Sequence, residues 1–348
     1  MAGSGLTSTR ALAKDVAAHA LCVAGLPRLA RRQLRGQLAI LTFHGVEAKP
    51  LSPPIPHLID AATLRRQLRF LSRHFTVLPL DDALEKLSAG TLPDRVAALT
   101  FDDGTRNLAT QAVPILRDFG LPAAVFLATG AMGTREALWP DRLWLGFLHT
   151  PRSEIDLTPL GLGTRCLDDM ADRIATLQGV IKHFKQLPDK ERVQRVEWLI
   201  SELGPEVDPT GGPFEMLTWD EARAMASQAE IDLYPHSVTH PILARCTDQK
   251  VDYEISESCL TVSRETGQKP DIFAYPNGHV GDFDDRAKAA LRRNGIRWAL
   301  STTKGFATRD SDPLELPRIG IGSDQTHAIF RLRVSGALPL RRLKIGTG

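Results

Sequence analysis

The chain has 348 residues, 43% of them hydrophobic and 24% charged, a balance that lets it bury a core and excludes a disordered or fibrous protein. Forty-three basic against 41 acidic side chains leave a net charge of +2, too near neutrality for a chain whose main partner is nucleic acid. No stretch reaches the roughly 18 apolar residues of a membrane span, and four cysteines without C-x-x-C spacing give neither a zinc knuckle nor a disulfide framework.

Residues 1–36 read as a basic amphipathic helical segment. Leu12, Val16, Leu21 and Leu26 recur at nearly helical intervals, and Arg28, Arg31, Arg32 and Arg35 follow. The run VAAHALCVAGL could pass for a short secretory core, but His19 interrupts it and the flank before it is weakly basic. Without a convincing signal, the cytoplasm or the inner face of a membrane is expected before secretion. The basic face is read first as solvated and second as a peripheral contact with anionic lipid.

From residue 37 to about 330, apolar β-branched runs alternate with helical patterns, the signature of an α/β fold. Strands are expected at 38–43, 96–101, 123–129, 230–234, 272–275, 297–302 and 316–322. Between them, 62–75 places Leu64, Leu68 and Leu71 on one helical stripe, and 80–90 ends on a glycine suited to a left-handed helix terminus. The stretch 107–120 reads as a helix kinked at Pro114. Thr218 and Glu221 have the spacing of a capping box, which predicts a helix start there. Residues 135–215 break the alternation and read as a helical insertion, with Trp139 and Trp144 as packing anchors. Residues 331–348 read as a C-terminal tail.

Three strand ends carry chemistry-bearing residues. TFDDG (100–104) ends a hydrophobic strand in two carboxylates, a pattern that serves either a cation or an ordinary Asp-Gly turn. PHSVTH (235–240) offers His236 and His240 four positions apart, and Pro241 argues for one tight turn over a helix. FAYPNG (273–278) is by itself a turn signal whose backbone can approach a ligand. The set, in this order and each at a strand end, is far more specific than any member. Asp102 and Asp103 as a glycosidase pair are set aside because neighbouring strand residues point to opposite faces.

TFDDG, HSVTH and FAYPNG resemble the first three motifs of the polysaccharide deacetylases, carbohydrate esterase family four, and LTFHGV (41–46), FLATG (126–130), WPDRL (139–143) and LPRI (316–319) extend the resemblance. FAYPNG resembles a subgroup that accompanies exopolysaccharide assembly in bacteria. The resemblance implies a distorted (β/α) barrel of about seven strands, here with the helical insertion. It implies hydrolysis of an N-acetyl group on a polysaccharide, an oligosaccharide or a lipid-linked glycan. Asp102 is then the catalytic base, and Asp103, His236 and His240 are ligands of a divalent metal, zinc before cobalt, manganese, nickel or iron. Tyr275, Pro276 and Asn277 are expected at the substrate, with the Tyr275 backbone N–H facing the developing oxyanion.

Two departures stand out. Ala274 occupies the place where many relatives carry an arginine that pairs with the base, and Arg318 is expected to supply the missing guanidinium. The late histidine that serves relatives as general acid has no counterpart in IGIGSDQTHAIF. His279, His44 and His327 are the candidates, with His279 first and His44 also expected to touch substrate. Two alternatives stay open: hydrolysis of another non-peptide C–N bond, and glycan binding or assembly with little turnover. Substrate identity and oligomeric state are not readable from the chain.

Overall fold

Seven parallel strands set the frame: β1 (Gln37–Phe43), β2 (Val96–Phe101), β3 (Ala123–Leu127), β4 (Ile231–Pro235), β5 (Ile272–Ala274), β6 (Trp298–Lys304) and β7 (Leu316–Gly320). The computed structural model describes residues 4–228 and 230–338. The strand order is β5-β6-β7-β1-β2-β3-β4, and the two end strands lie side by side, so the sheet curls into a nearly closed barrel. Among the described residues no hydrogen-bonded ladder joins β4 to β5. The β1–β2 pairing runs unbroken from Leu38 opposite Val96 to Phe43 opposite Phe101. That register brings the ends of both strands, and the residues after them, to the same level.

Alternation along β1 shows how the core is divided. Leu38 and Ile40 face inward with Ala98, Phe126 and Leu300, while Ala39, Leu41 and Phe43 face the outer helices. The helices in chain order are α1 (Ser4–Val23), α2 (Ala61–His74), α3 (Leu80–Ala89), α4 (Val113–Phe119), α5 (Trp139–His149), α6 (Met170–Phe184), α7 (Asp189–Leu203), α8 (Trp219–Gln228), α9 (Asp248–Thr266), α10 (Asp285–Arg293) and α11 (His327–Val334). The expected stripe of Leu64, Leu68 and Leu71 is fully buried on α2, and Gly90 ends α3 at φ +71°. Ahead of Pro114 the chain takes a wider π-helical turn over Leu108–Ala112, and Pro114 falls in the first turn of α4, where its missing N–H is tolerated. Thr218 and Glu221 form the reciprocal cap: the Thr218 N–H donates to the Glu221 carboxylate at 3.0 Å, and the Glu221 N–H donates to the Thr218 hydroxyl at 3.1 Å.

The stretch from 135 to 215 has its own apolar cluster, built by α5, α6 and α7 around Leu143, Phe147, Leu177, Phe184 and Leu199. It also contains a two-stranded hairpin, Glu154–Asp156 with Thr164–Cys166, whose short strands carry no clear alternation in the sequence. Trp139 and Trp144 are both buried.

At the termini the packing differs from the expected pattern. Helix α1 turns Ala18 and Cys22 toward Leu332, whereas Leu12, Val16 and Leu21 are exposed. Arg31 is buried, with Nη1 donating to the Ser335 hydroxyl at 3.1 Å. At the other end α11 crosses the boundary set at 330: Phe330, Leu332 and Val334 are fully buried, so the ordered body continues to the end of that helix. Residues 1–3 of the N-terminal segment and 339–348 of the expected tail lie outside the described residues.

Phe330 contacts Phe70 of α2 at a ring-centroid distance of 6.1 Å within the main core. The Phe330→Ala variant is expected to lose about 3–5 kcal/mol of unfolding free energy. Urea denaturation measures it, and a loss below about 1 kcal/mol would place α11 outside the cooperative core.

Candidate metal centre and reaction cavity

Strand β2 ends at Phe101, and the Asp102 N–H still reaches the Phe43 carbonyl at 3.0 Å. Asp103 then takes φ +76° and Gly104 φ +86°, a left-handed pair that reverses the chain. Both carboxyl groups consequently line one cavity of about 310 Å³ at the carboxyl ends of the strands. Strand alternation therefore does not separate them, contrary to the expectation that neighbours point to opposite faces.

The PHSVTH loop follows β4 as a non-helical turn, with Ser237 at φ +66° and His240 at φ +53°. It is fixed from three sides. Glu254 of α9, fully buried, accepts from the N–H groups of Val238 at 2.7 Å and Thr239 at 2.8 Å. The Trp139 indole donates to the His240 carbonyl at 3.0 Å. Gly130 approaches so closely that a Cβ there would lie 2.7 Å from the Val238 carbonyl oxygen, and its N–H donates to that oxygen.

This loop brings both imidazoles to Asp103. His236 Nε2 lies 3.6 Å and His240 Nε2 3.4 Å from Asp103 Oδ1, and the three side chains offer ligand atoms within 4.8 Å of one another. His236 Nδ1 is 2.7 Å from the Ala274 carbonyl, which can only accept; the proton therefore sits on Nδ1 and the Nε2 lone pair faces the cluster. Asp103 Oδ1 is buried and has no hydrogen-bond partner. A buried carboxylate oxygen without a donor, facing two imidazole nitrogens kept neutral by burial, is a donor set that fits a divalent cation.

Asp102 is held differently. Arg318, on β7 and 1% exposed, donates from Nη1 and Nη2 to the two Asp102 oxygens at 2.8 and 2.7 Å. Its Nε donates to the Ser301 carbonyl at 2.8 Å. Burial alone would push the Asp102 carboxyl up, but the Arg318 guanidinium beside it brings it down to about 2, so it stays ionised. Asp103 moves the opposite way, raised by burial and then by Asp141 and Asp102, as expected of a carboxylate that has no cation beside it.

The remaining expected residues separate. Tyr275 lines the cavity, but its N–H is committed to the Leu300 carbonyl at 3.0 Å in the β5–β6 ladder and does not face an oxyanion. Its hydroxyl donates to the Leu314 carbonyl, and its ring stacks on Phe283 at 3.9 Å. Pro276 does not line the cavity; its carbonyl accepts from Gly278 N–H and closes the turn. Asn277, at φ +60°, does line it, and its buried Nδ2 has no hydrogen-bond partner. His279 is exposed at the rim, beside the Thr302 hydroxyl at 3.2 Å. His44 is closer in, with Nε2 4.0 Å from Asp103 Oδ2 and burial pushing its pKa down to about 3. His327 stacks on Phe330 and meets Phe70 edge-on, away from the cavity.

Sequence reasoning missed four contributors. His57 meets His44 edge-on at 5.5 Å between ring centroids and lies 3.5 Å from the buried carboxylate of Asp141. Asp141 belongs to the quoted WPDRL, so a signal for it was present. Glu254 and Lys185 sit on ordinary amphipathic helices and had none.

Removing the Glu254 clamp frees two loop N–H groups between the histidines. The Glu254→Ala variant is expected to weaken zinc affinity by about 10–100-fold, the usual cost of losing a supporting partner. Competition against a chromophoric chelator measures this, and unchanged affinity would show that Trp139 and Gly130 suffice to hold the loop.

Residues 89–299 match the family model described as polysaccharide deacetylase. The Bacillus subtilis protein YxkH is 25% identical over 114 residues, spanning 33% of this chain and 39% of that relative's length. Two solved structures share the fold. The Streptococcus pyogenes deacetylase PplD, in complex with acetate, has a TM-score of 0.56 at 16% identity and matches 86% of this chain and 98% of its own. IcaB from Ammonifex degensii has a TM-score of 0.54 at 14% identity, over 87% of this chain and 97% of its own. With well over half its length matched by the family model, and the three motif loops gathered around one cavity, the chain belongs to the polysaccharide deacetylase family.

Proposed function

We propose that the protein hydrolyses the N-acetyl group of a carbohydrate, releasing acetate and a free amine, with a divalent cation, zinc first, held by Asp103, His236 and His240. The observation that carries this reading is the pairing of an unsatisfied Asp-His-His cluster with a second carboxylate, Asp102, kept ionised beside it by Arg318. When bound, the cation supplies Lewis acidity, which makes water acidic enough to lose a proton to a base as weak as Asp102 and offsets charge growing on the amide oxygen.

Asp102 takes the proton from the attacking water, and the bidentate grip of Arg318 fixes the oxygen that receives it. Asn277 Nδ2 is the available donor toward the amide oxygen, in place of the Tyr275 N–H. His44, the noncoordinating histidine nearest the cluster, passes the proton on to the leaving nitrogen through its neutral ring. Exposed His279 belongs to the sugar-binding rim.

The N-terminal segment adds a contact with an anionic membrane surface. Leu12, Val16 and Val23 are exposed and fall within about 40° of one another around α1, and Arg28 and Arg32 in the segment that follows are exposed. The support is this combination of an uncovered apolar stripe with cations.

Zinc-loaded protein is expected to release acetate from N-acetylated oligosaccharides but not from simple amides, and chelation should abolish the release. Asp102→Asn should lower kcat by about 10²–10⁴, and Arg318→Met should lose most activity while metal content stays the same. Unchanged turnover in Arg318→Met would remove Asp102 from the role of base. His44→Gln should lower kcat more than His279→Ala; the reverse order would return the proton relay to His279. Sedimentation with phosphatidylglycerol vesicles but not phosphatidylcholine vesicles, reduced in Leu12→Ser/Val16→Ser, checks the membrane contact.

A further inference from the structure

Lys185 enters the reaction cavity from the insertion, at the C-cap of α6. Its neighbours in the cavity have charge partners close by: Asp102 has Arg318, and Asp141 has His57. Among the described residues Lys185 makes no ion pair within 4 Å. Burial lowers the proton affinity of its ammonium group, and Asp282 opposes this only at longer range. The field of Lys185 reaches the candidate metal ligand His240, so the side chain stands on that flank of the reacting centre. The C-terminus of α6 offsets only a small part of the cost of withdrawing an ammonium group from water without a counter-charge. Lys304 lines the same cavity from the end of β6. A cation kept half-buried beside the catalytic cluster, with no protein anion assigned to it, is arranged for an anion that arrives with the substrate.

We propose that Lys185 binds an anionic substituent, phosphoryl or carboxyl, carried by the N-acetylated sugar or its immediate neighbour. The insertion, not the barrel, then sets the preference of the site for acidic glycans. This rests on the deacetylase reading and adds the substrate class. Lys185 is a specificity-determining residue that acts on the binding of the acidic group. A charge-assisted hydrogen bond from a half-buried ammonium is strong and orientation-dependent, so discrimination should pass with it.

The test compares zinc-loaded wild type, Lys185→Ala and Lys185→Arg on three substrates: chitotriose, N-acetylglucosamine 1-phosphate and a disaccharide of N-acetylglucosamine with glucuronic acid. The readouts are acetate release and, independently of turnover, calorimetric affinity. Wild type should favour at least one acidic substrate over chitotriose, and whichever of the two acidic arms is favoured identifies phosphoryl or carboxyl as the group bound. In Lys185→Ala the ratio of acidic to neutral affinity should fall about tenfold, through KM more than kcat, and Lys185→Arg should recover most of it. A direct phosphate–zinc contact would survive the substitution and leave the ratio unchanged, which overturns the proposal. Equal wild-type affinity for acidic and neutral ligands, or a ratio lost in Lys185→Arg as fully as in Lys185→Ala, also overturns it. If no substrate yields acetate, the deacetylase reading fails, while the calorimetric ratio still decides the role of Lys185.

Discussion

The buried ion pair between Asp102 and Arg318 ties two strands on either side of β1, from residues more than two hundred positions apart. Removing a carboxylate and a guanidinium from water is expensive, and it is tolerable here because both oxygens and all three guanidinium nitrogens find partners. The pair does more than hold the sheet. With Arg318 spent on Asp102, the neighbouring Asp103 is left without a counter-charge, and the two neutral imidazoles do not supply one. The fit of the cluster to a cation follows from that.

The helical insertion shapes the other side of the cavity. Trp139 from α5 holds the His240 carbonyl, Asp141 from the same helix faces His57, and Lys185 arrives from the end of α6. The barrel supplies the Asp-His-His cluster and the Asp102–Arg318 pair, and the added helices supply part of the cavity wall. The insertion has its own apolar core, yet Trp139 couples it to the loop that carries His240.

Much of this was legible in the chain because it depends on local pattern. All seven barrel strands appear as β-branched runs, and the motif loops fall where such runs stop. Arg318 could be assigned to Asp102 once Ala274 was seen in the expected arginine's place, since only a permanently charged group holds a carboxylate ionised there. What stayed hidden depends on long-range geometry. The left-handed turn at Asp103 cancels strand alternation, and the Asp-Gly turn signal does not say where it aims the two carboxylates. The commitment of the Tyr275 N–H is set by how far the β5–β6 ladder extends. Lys185 looks like any solvated helix-end lysine until α6 is docked. Burial of α11 is likewise a tertiary fact, decided by Phe70 on a helix some 260 residues earlier.

The break in the ladder between β4 and β5 runs directly under the site. His236 follows one side of it and Asn277 the other, and among the described residues one hydrogen bond crosses between them, from the His236 ring to the Ala274 carbonyl. Elsewhere around the barrel, displacing one strand against the next would rupture rows of backbone bonds. At this seam the strands are held by packing of Tyr234 against Ile272 and Ala274 and by that one bond, and the loop beyond it is fixed instead by Glu254 and Trp139. One side of the cavity is therefore closed by side-chain packing, where its other sides rest on backbone ladders.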